Sequence, residues 1–565
     1  MSIRSLPNLY RNVKRWTEIL AVLSKYGLAD WLSQTNVEFI KSRLRDKDGG
    51  ILSSLSREAR IRAALAELGP TFVKLGQLLS TRPDLVGVAL TEELKSLQAH
   101  SPADHPAEVR RTIESELGQS LEELFVEFEE SALASGSIGQ VHAARLPTGE
   151  RVVVKVQHAQ IAEKIAEDLE ILAGLAQLSE AIPELRPYRP VAVMAEVSRA
   201  LRRELDFSRE ERNQQQFSEL FRGDGTVVIP IVYSEYCTAK VLTMQHLDGI
   251  PLTNMALLNA QGFDCEELAR RGANIYLKMI FTHGFYHADP HPGNIMILGE
   301  NIIGLIDFGM VGRLDDRLRE DIEEMLMALV SKDVPLLTRV IKRLGQVPPQ
   351  LDDAGLSCDI ADFVGHYSMQ SLGAFPLAKA LLEMMEIIRR YHIMLPASVT
   401  MLIKALVTLE GTSKQLSPSF SLIEVMQPFQ KGMMLSRLSP KRQLKKLRRL
   451  YYEFEHLAEI MPQRIMQILE QVNSGKFDVH LDHRGLGPSV NRLVLGMLAS
   501  ALFVGSSLLM AYKVPPLLFE KPWHLGMHQI SILDLLVAGC GLSGHAFAAI
   551  GKSGHLDQNS SLAGI

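Results

Sequence analysis

The chain has 565 residues, enough for several domains and a large buried core. Its 46% hydrophobic content excludes wholesale disorder, and a net charge of −5 carries no nucleic-acid footprint. Cys237, Cys265, Cys358 and Cys540 lie far apart with no C-x-x-C, against a disulfide scaffold or thiolate zinc site and in favour of a reducing compartment.

Met1 to Arg15 carries bases but no continuous apolar run and no small-residue cleavage site, so no secretory signal is expected. From Asn8 to Leu32 the apolar residues Val13, Trp16, Ile19, Leu20, Leu23 and Trp31 recur mostly at three and four, which predicts an amphipathic packing helix. Helical periodicity resumes near Arg57 and breaks at Gly69-Pro70, where proline suits the first turn of a new helix. That helix carries Lys74-Leu75-Gly76-Gln77. A glycine inside a helix costs about 1 kcal/mol relative to alanine, so Gly76 is expected to permit the close approach of a partner.

Pro106 to Glu130 reads as helical and acidic. Ala134-Ser135-Gly136-Ser137-Ile138-Gly139-Gln140-Val141 then has the layout of the glycine-rich phosphate loop of protein kinases, with alanine at its first glycine. Glycines matter there because backbone N–H groups approach phosphate oxygens closely only where no Cβ intervenes. Val141–Arg145 and Arg151–Val156 read as a hairpin around Pro147-Thr148-Gly149-Glu150, which puts Lys155 at the strand-lysine position. A desolvated lysine needs a carboxylate; Glu196, Glu204, Asp206 and Glu210 are all candidates. Thr226–Tyr233 and Ala239–Leu247 are β-rich, and the run from Met244 through His246 to Gly249 occupies the place of an adenine-holding hinge.

The densest chemistry runs from His287 to Gly309. Asp289 and Asn294 are spaced as in the catalytic loop of kinases, and Asp307-Phe308-Gly309 spells the metal-binding triplet. Two apolar runs, 295–298 and 302–306, flank Gly299-Glu300-Asn301 and predict a hairpin that returns Asp307 to Asn294. Two carboxylates and an amide oxygen are hard ligands suited to Mg²⁺ carrying a nucleotide. Asp-Phe-Gly alone is a common turn triplet; the ordered pair joined by a hairpin is far more specific.

Lys74-Leu75-Gly76-Gln77, Ser80-Thr81-Arg82-Pro83-Asp84-Leu85, the Ala134–Val141 loop, Lys155, Glu204-Leu205-Asp206-Phe207, His287–Asn294 and Asp307-Phe308-Gly309 together resemble the UbiB family of atypical protein-kinase-like proteins. The resemblance covers roughly residues 10 to 550. It implies ATP and Mg²⁺ as cofactors, with Lys155 on the phosphates and paired with Glu210, Asn294 and Asp307 on the metal, and Asp289 as base or water-orienting group. It also implies that the Lys74 helix folds over the cleft, with Lys74 paired to Glu204. Three departures stand out. Ala134-Ser135-Gly136 replaces an alanine-rich loop, Gln98-Ala99 replaces the usual Gln-Asp, and Ala288 replaces the arginine of H-R-D. Without that arginine a phosphorylated activation loop has no anchor, which favours ATP hydrolysis or a small acceptor over a protein substrate.

Residues 310 to 415 look helical throughout, and Ser436–Leu450 reads as a basic amphipathic helix suited to anionic lipid. Leu493–Tyr512 is uncharged and apolar over about twenty residues, long enough to span a bilayer, and Ile530–Ile550 is a weaker second span. The expected fold is α+β, a bilobal kinase-like body with an N-terminal helical extension over the cleft and a C-terminal transmembrane helical hairpin. Its segments are an extension over 1–125, an N-lobe over 126–250, a C-lobe over 251–430, a basic linker over 431–490, the hairpin over 491–553 and a tail over 554–565. The positive-inside rule puts the body on the cytoplasmic side of a bacterial inner membrane. The expected function is a membrane-anchored Mg²⁺-dependent ATPase or atypical kinase supporting ubiquinone biosynthesis. Its partners would be ATP, membrane lipids, quinone intermediates and quinone-biosynthesis enzymes, with no nucleic acid, and a homodimer is left open. The alternatives are a kinase acting on a protein partner and a non-catalytic nucleotide-sensing scaffold.

Overall fold

The computed structural model describes residues 13–28, 55–97, 102–180, 182, 185–368 and 375–437, with scattered positions from 448 to 530. It divides into two compact units, Met1–Gln443 and Leu444–Ile565. The candidate site lies wholly in the first.

Helices α1 (Val13–Lys25), α2 (Arg57–Leu68), α3 (Pro70–Leu79), α4 (Pro83–Val86), α5 (Val88–Lys95), α6 (Pro106–Leu117) and α7 (Leu121–Leu124) come first. Trp16, Ile19 and Leu20 of α1 form one buried face that packs with Leu68 and Phe72. Gly69, at φ 98°, turns the chain so sharply that α2 must end, and Pro70 then opens α3. A Cβ on Gly76 would collide with Leu97 and lie 3.1 Å from Leu65, so the glycine lets α3 seat closely against α2 and the end of α5.

Next come β1 (Glu127–Phe128), β2 (Ala134–Ser135), β3 (Gly139–Arg145), β4 (Arg151–Gln157), and helices α8 (Ile161–Glu180), α9 (Pro190–Glu204) and α10 (Phe207–Leu220). After β5 (Val227–Val228), β6 (Val241–Gln245) completes an antiparallel sheet ordered β1-β3-β4-β6, with β2 also on β3. Val152, Val154 and Val156 face the cluster made by Val109, Ile113 and Phe125. Because side chains alternate along a strand, Val153 and Lys155 lie on the opposite face, across from Ala143 and Val141 of β3.

A second sheet is ordered β5-β10-β9-β7, from β7 (Ile250–Pro251), β9 (Ile295–Leu298) and β10 (Ile302–Leu305). The β9–β10 hairpin closes through Gly299-Glu300-Asn301, with Glu300 and Asn301 both left-handed. Between β7 and β9 lie α11 (Met255–Ala260), α12 (Cys265–Leu277) and β8 (Phe285–His287), which pairs with β11 (Val311–Arg313). Helices α13 (Asp316–Ser331), α14 (Val334–Leu344), α15 (Asp353–Ser368), α16 (Leu377–Arg390), α17 (Ala397–Leu416) and α18 (Leu422–Arg437) follow. Leu402, Leu406 and Leu409 of α17 enter the core that holds Tyr276, Tyr286 and Phe308.

Some expectations need correction. The strand expected over Thr226–Tyr233 shrinks to Val227–Val228, because Pro230 has no N–H to continue a ladder. The helical reading of Pro106–Glu130 stops at Leu124, since Glu127 and Phe128 join the sheet as β1. The helical reading of 310–415 is interrupted at its start by β11.

The C-terminal transmembrane hairpin is also corrected: among the described residues no helix is long and apolar enough to cross a membrane. Ile530, where the second span was expected to begin, belongs to a short strand, β13 (His528–Ile530), paired with β12 (Trp523–Leu525). Of the first span only Met497, Ser500, Ala501 and Val504 are described, all helical and exposed, and the rest of 491–553 apart from that strand pair lies outside the described residues. Gln98-Ala99 and nearly all of the basic stretch Ser436–Leu450 also lie outside them.

Candidate nucleotide and metal site

Lys155 is held from several sides at once. Its Nζ donates to Glu210 in the first turn of α10, at 3.0 Å to Oε1 and 2.8 Å to Oε2. Asp307 Oδ1 lies 3.9 Å away, and the ring of Phe207 sits under the ammonium at 5.1 Å. Burial opposes the charge on Lys155, but Asp307 and Glu210 outweigh it and raise its pKa. Burial pushes the Glu210 carboxyl upward, with Lys155 pulling the other way. The Lys155 ammonium holds Asp307 down at about 2 against burial, with Lys74 and the Gly309 N–H helping. Asp307's side chain is 52% exposed, so solvent screens part of that field.

Four acids competed for Lys155 in the sequence, and each has a separate place in the structure. Glu210 takes Lys155. Glu204, at the end of α9, bonds Lys74 Nζ. Asp206 caps α10 by accepting from the Ser208 N–H at 3.2 Å. Glu196 lies 3.1 Å from Arg82, whose guanidinium also bonds Asp84 and the Leu395 carbonyl.

The loop from Ala134 to Val141 is a tight hairpin. Ala134 and Ser135 pair with Val141 and Gln140, and the Gly136 N–H donates to Gly139 O at 2.9 Å. A Cβ on Gly139 would sit 2.5 Å from Val156 O and 3.2 Å from Phe207, so that glycine is required by the approach of β4. Gly136 has no such constraint. Ile138 folds inward with Phe207, Leu242 and Met244, and His158 bridges to Gly136 O at 2.9 Å. Ser135 Oγ and Ser137 Oγ are buried with no partner in the protein, as donors awaiting an acceptor would be.

Met244 of β6 lies beside Val153 of β4, where Gln214 donates to its sulfur at 3.7 Å. The His246 backbone N–H bonds Arg151 O at 3.0 Å and is already occupied, while its ring faces Asp248 at 3.2 Å.

The segment from His287 to Asn294 is organised by His287. Burial lowers its pKa and keeps it neutral. Its Nδ1 accepts the Asp289 N–H at 3.2 Å and its Nε2 faces Ile306 O at 3.3 Å, which assigns the ring proton to Nε2. Asn294 Nδ2 donates to Asp289 O at 3.2 Å, leaving the amide oxygen for another partner. The Ile306 N–H bonds Asn294 O at 3.0 Å, so Asp307 follows immediately beside Asn294. Asp307 is left-handed at φ 62°, an unusual conformation for a non-glycine residue, and the Gly309 N–H donates to its Oδ1 at 3.1 Å. Phe308 anchors the triplet between Phe217 and His287, and Asn213 bonds its carbonyl at 3.0 Å.

Among the described residues no group of three or more His, Cys, Asp or Glu could hold a metal. The Asn294 amide oxygen and the ionised Asp307 carboxylate instead suit an oxygen-seeking ion that takes its other ligands from phosphate and water. Sequence reasoning named Phe207 only as part of a motif, without its place under Lys155, and missed Asn213 and above all Lys404, whose Nζ lies 3.4 Å from Asp289 Oδ1. The available signal for Lys404 was one cation within the apolar run Met401-Leu402-Ile403-Lys404-Ala405-Leu406-Val407.

Family models and curated relatives match this chain over much of its length. Residues 96–341 match the ABC1 atypical kinase-like domain, 360–421 the UbiB helical domain, and 480–545 the ABC1/UbiB kinase-like C-terminal domain. A Pseudomonas paraeruginosa protein named probable protein kinase UbiB is 34% identical over 412 residues, covering 72% of this chain and 77% of its own. An uncharacterized Clostridium pasteurianum protein, in the hydrogenase 1 5′ region, is 30% identical over 546 residues, covering 95% and 97%. The solved complex of Rv3197 with erythromycin from Mycobacterium tuberculosis is 23% identical, covering 64% of this chain and 93% of its own at a TM-score of 0.44. On the family matches and the curated relative, this chain belongs to the UbiB family of atypical kinase-like proteins.

Proposed function

We propose that this chain binds ATP with Mg²⁺ and transfers or hydrolyses its γ-phosphoryl group, as an ATPase or atypical kinase serving prenyl quinone biosynthesis. The observation that carries the reading is Lys155, paired with Glu210 at 2.8 Å and 3.9 Å from Asp307. A lysine so placed meets α/β-phosphates while the carboxylates keep it charged. Mg²⁺, held by Asn294 and Asp307, would supply charge neutralisation between the phosphates.

The chain's own groups divide the remaining work. The Ala134–Val141 loop would supply the Ser135 and Ser137 hydroxyls, which have no partner in the protein, to phosphate. Met244 and Val153 form an apolar wall for the adenine. Asp289, oriented by His287 and Asn294, accepts the proton of the attacking hydroxyl or water. Lys74, tied to Glu204, keeps α3 against the kinase-like body, which favours water or a small lipid intermediate over a protein as acceptor.

The assignment to quinones and to a bacterial membrane surface rests on the family. Quinone and intermediate profiles of a deletion strain carrying wild type or Asp307→Asn test that part. The chemistry itself is tested by ATP turnover with liposomes for wild type, Asp307→Asn and Lys74→Ala. Label passing from the γ-phosphate to a protein would favour the protein-kinase alternative, and nucleotide binding without turnover would favour the scaffold.

A further inference from the structure

The segment Asp289-Pro290-His291-Pro292-Gly293-Asn294 contains no lysine or arginine. Its one basic side chain, His291, is turned to local structure, with Nδ1 accepting the Gly293 N–H at 3.0 Å. The site is therefore uneven: Lys155 serves one end of a bound triphosphate, and no cationic side chain of the loop faces the group being transferred. Phosphoryl transfer spreads negative charge over the equatorial oxygens of that group, and a cation aimed there is a main source of catalysis.

Lys404 stands where such a cation is missing. It projects from α17, with Leu402, Ile403, Ala405 and Leu406 buried around it and only 16% of its own side chain exposed. Its Nζ is 3.4 Å from Asp289 Oδ1, while Asn294 Nδ2 is 3.4 Å from Asp289 Oδ2. The loop it reaches is pinned to the same helix, since Thr412 Oγ1 donates to Pro290 O at 3.1 Å. An ammonium has three donors, and the contact with Asp289 uses one of them. Helix α17 thus supplies from about 115 residues downstream the charge that the loop lacks.

We propose that Lys404 is a catalytic residue that contacts the γ-phosphoryl group during transfer, an inference that rests on the nucleotide-turnover reading above. In that step the bond between the γ-phosphorus and its bridging oxygen breaks, and its electron pair leaves on ADP. The oxygen of water or of an acceptor hydroxyl forms the new bond to phosphorus and gives its proton to Asp289. Lys404 keeps its own proton and neutralises the γ-oxygens, releasing Asp289 from the ion pair so that it can act as base.

The experiment measures ATP turnover, ATP affinity and ADP affinity for the full chain, Lys404→Met and Lys404→Arg, with circular dichroism to check folding. Lys404→Met is expected to lower kcat by about 10²-fold, to leave ADP binding near wild type, and to weaken ATP binding relative to ADP. Lys404→Arg should restore the preference for ATP and part of the rate. Wild-type kcat in Lys404→Met, or a lowered kcat with an unchanged ratio of ATP to ADP affinity, would overturn the assignment and leave Lys404 as a support for Asp289. A wild-type chain that neither binds nor turns over ATP would overturn the nucleotide reading and this inference together.

Discussion

Lys74 of α3 and Glu204 of α9 are 130 residues apart in sequence and hydrogen-bonded in the fold, each with about a fifth of its side chain exposed. Six residues beyond Glu204, Glu210 forms the corresponding pair with Lys155. The break at Leu205-Asp206 between α9 and α10 thus places two acids against two lysines, one lysine from the extension and one from the sheet. Lys74→Ala would leave Glu204 without its cation and weaken the seat of α3, costing about 1–3 kcal/mol. Thermal unfolding of Lys74→Ala against Lys74→Arg checks this; Arg should recover most of the loss.

Lys155→Met should weaken ATP binding by about tenfold to a hundredfold, since it removes the charge-assisted phosphate contact proposed for Lys155. Isothermal titration with ATP gives the number directly. The same variant has a pH signature. Burial already raises the Glu210 pKa, and losing Lys155 removes the group that opposes it. A carboxyl raised in the folded state contributes stability below its unfolded pKa and loses it as pH rises through the folded one. Relative to wild type, Lys155→Met should therefore lose more stability as pH rises from acid toward neutrality, as read by melting temperature against pH.

Asp307 has the opposite sign. Its folded pKa is held at about 2 by Lys155 first, below the usual 3.8. Its contribution is complete above the unfolded value and is lost as pH falls from about 4 to 2. Acid titration of melting temperature should show a shallower fall across that window in Asp307→Asn than in wild type. An equally steep fall would place the acid sensitivity elsewhere.

Gly139→Ala should destabilise the chain by about 1–3 kcal/mol, because the new methyl meets Val156 O and Phe207. Gly136→Ala, where a Cβ would meet only Gly139 O at an ordinary 3.5 Å and φ is not positive, should cost well under half as much. Chemical denaturation of the two variants separates a glycine needed for packing from one available to a ligand.

These contrasts show how much the sequence carried. The β9–β10 hairpin was legible because two apolar runs flank a three-residue turn, and the β3–β4 hairpin because alternation and Pro147-Thr148-Gly149 agree. The partner of Lys155 was not legible: Glu196, Glu204, Asp206 and Glu210 lie within fifteen residues, and only the end of α9 and the cap on α10 sort them. Lys404 was invisible because its partner lies 115 positions upstream, and helix periodicity records which face is buried without naming the neighbour. The expectation of two C-terminal spans misled because hydropathy does not fix the kind of element: Ile530, where the second span was expected to begin, lies in a strand.

The central claim is that Lys155, Asp289, Asn294 and Asp307 form a site for nucleotide turnover. Its most direct test is steady-state phosphate release from ATP with Mg²⁺ and liposomes by wild type and by a folded Asp307→Asn variant. Wild type should release phosphate and the variant should release it about 10²-fold or more slowly; equal release by both would contradict a site for nucleotide turnover.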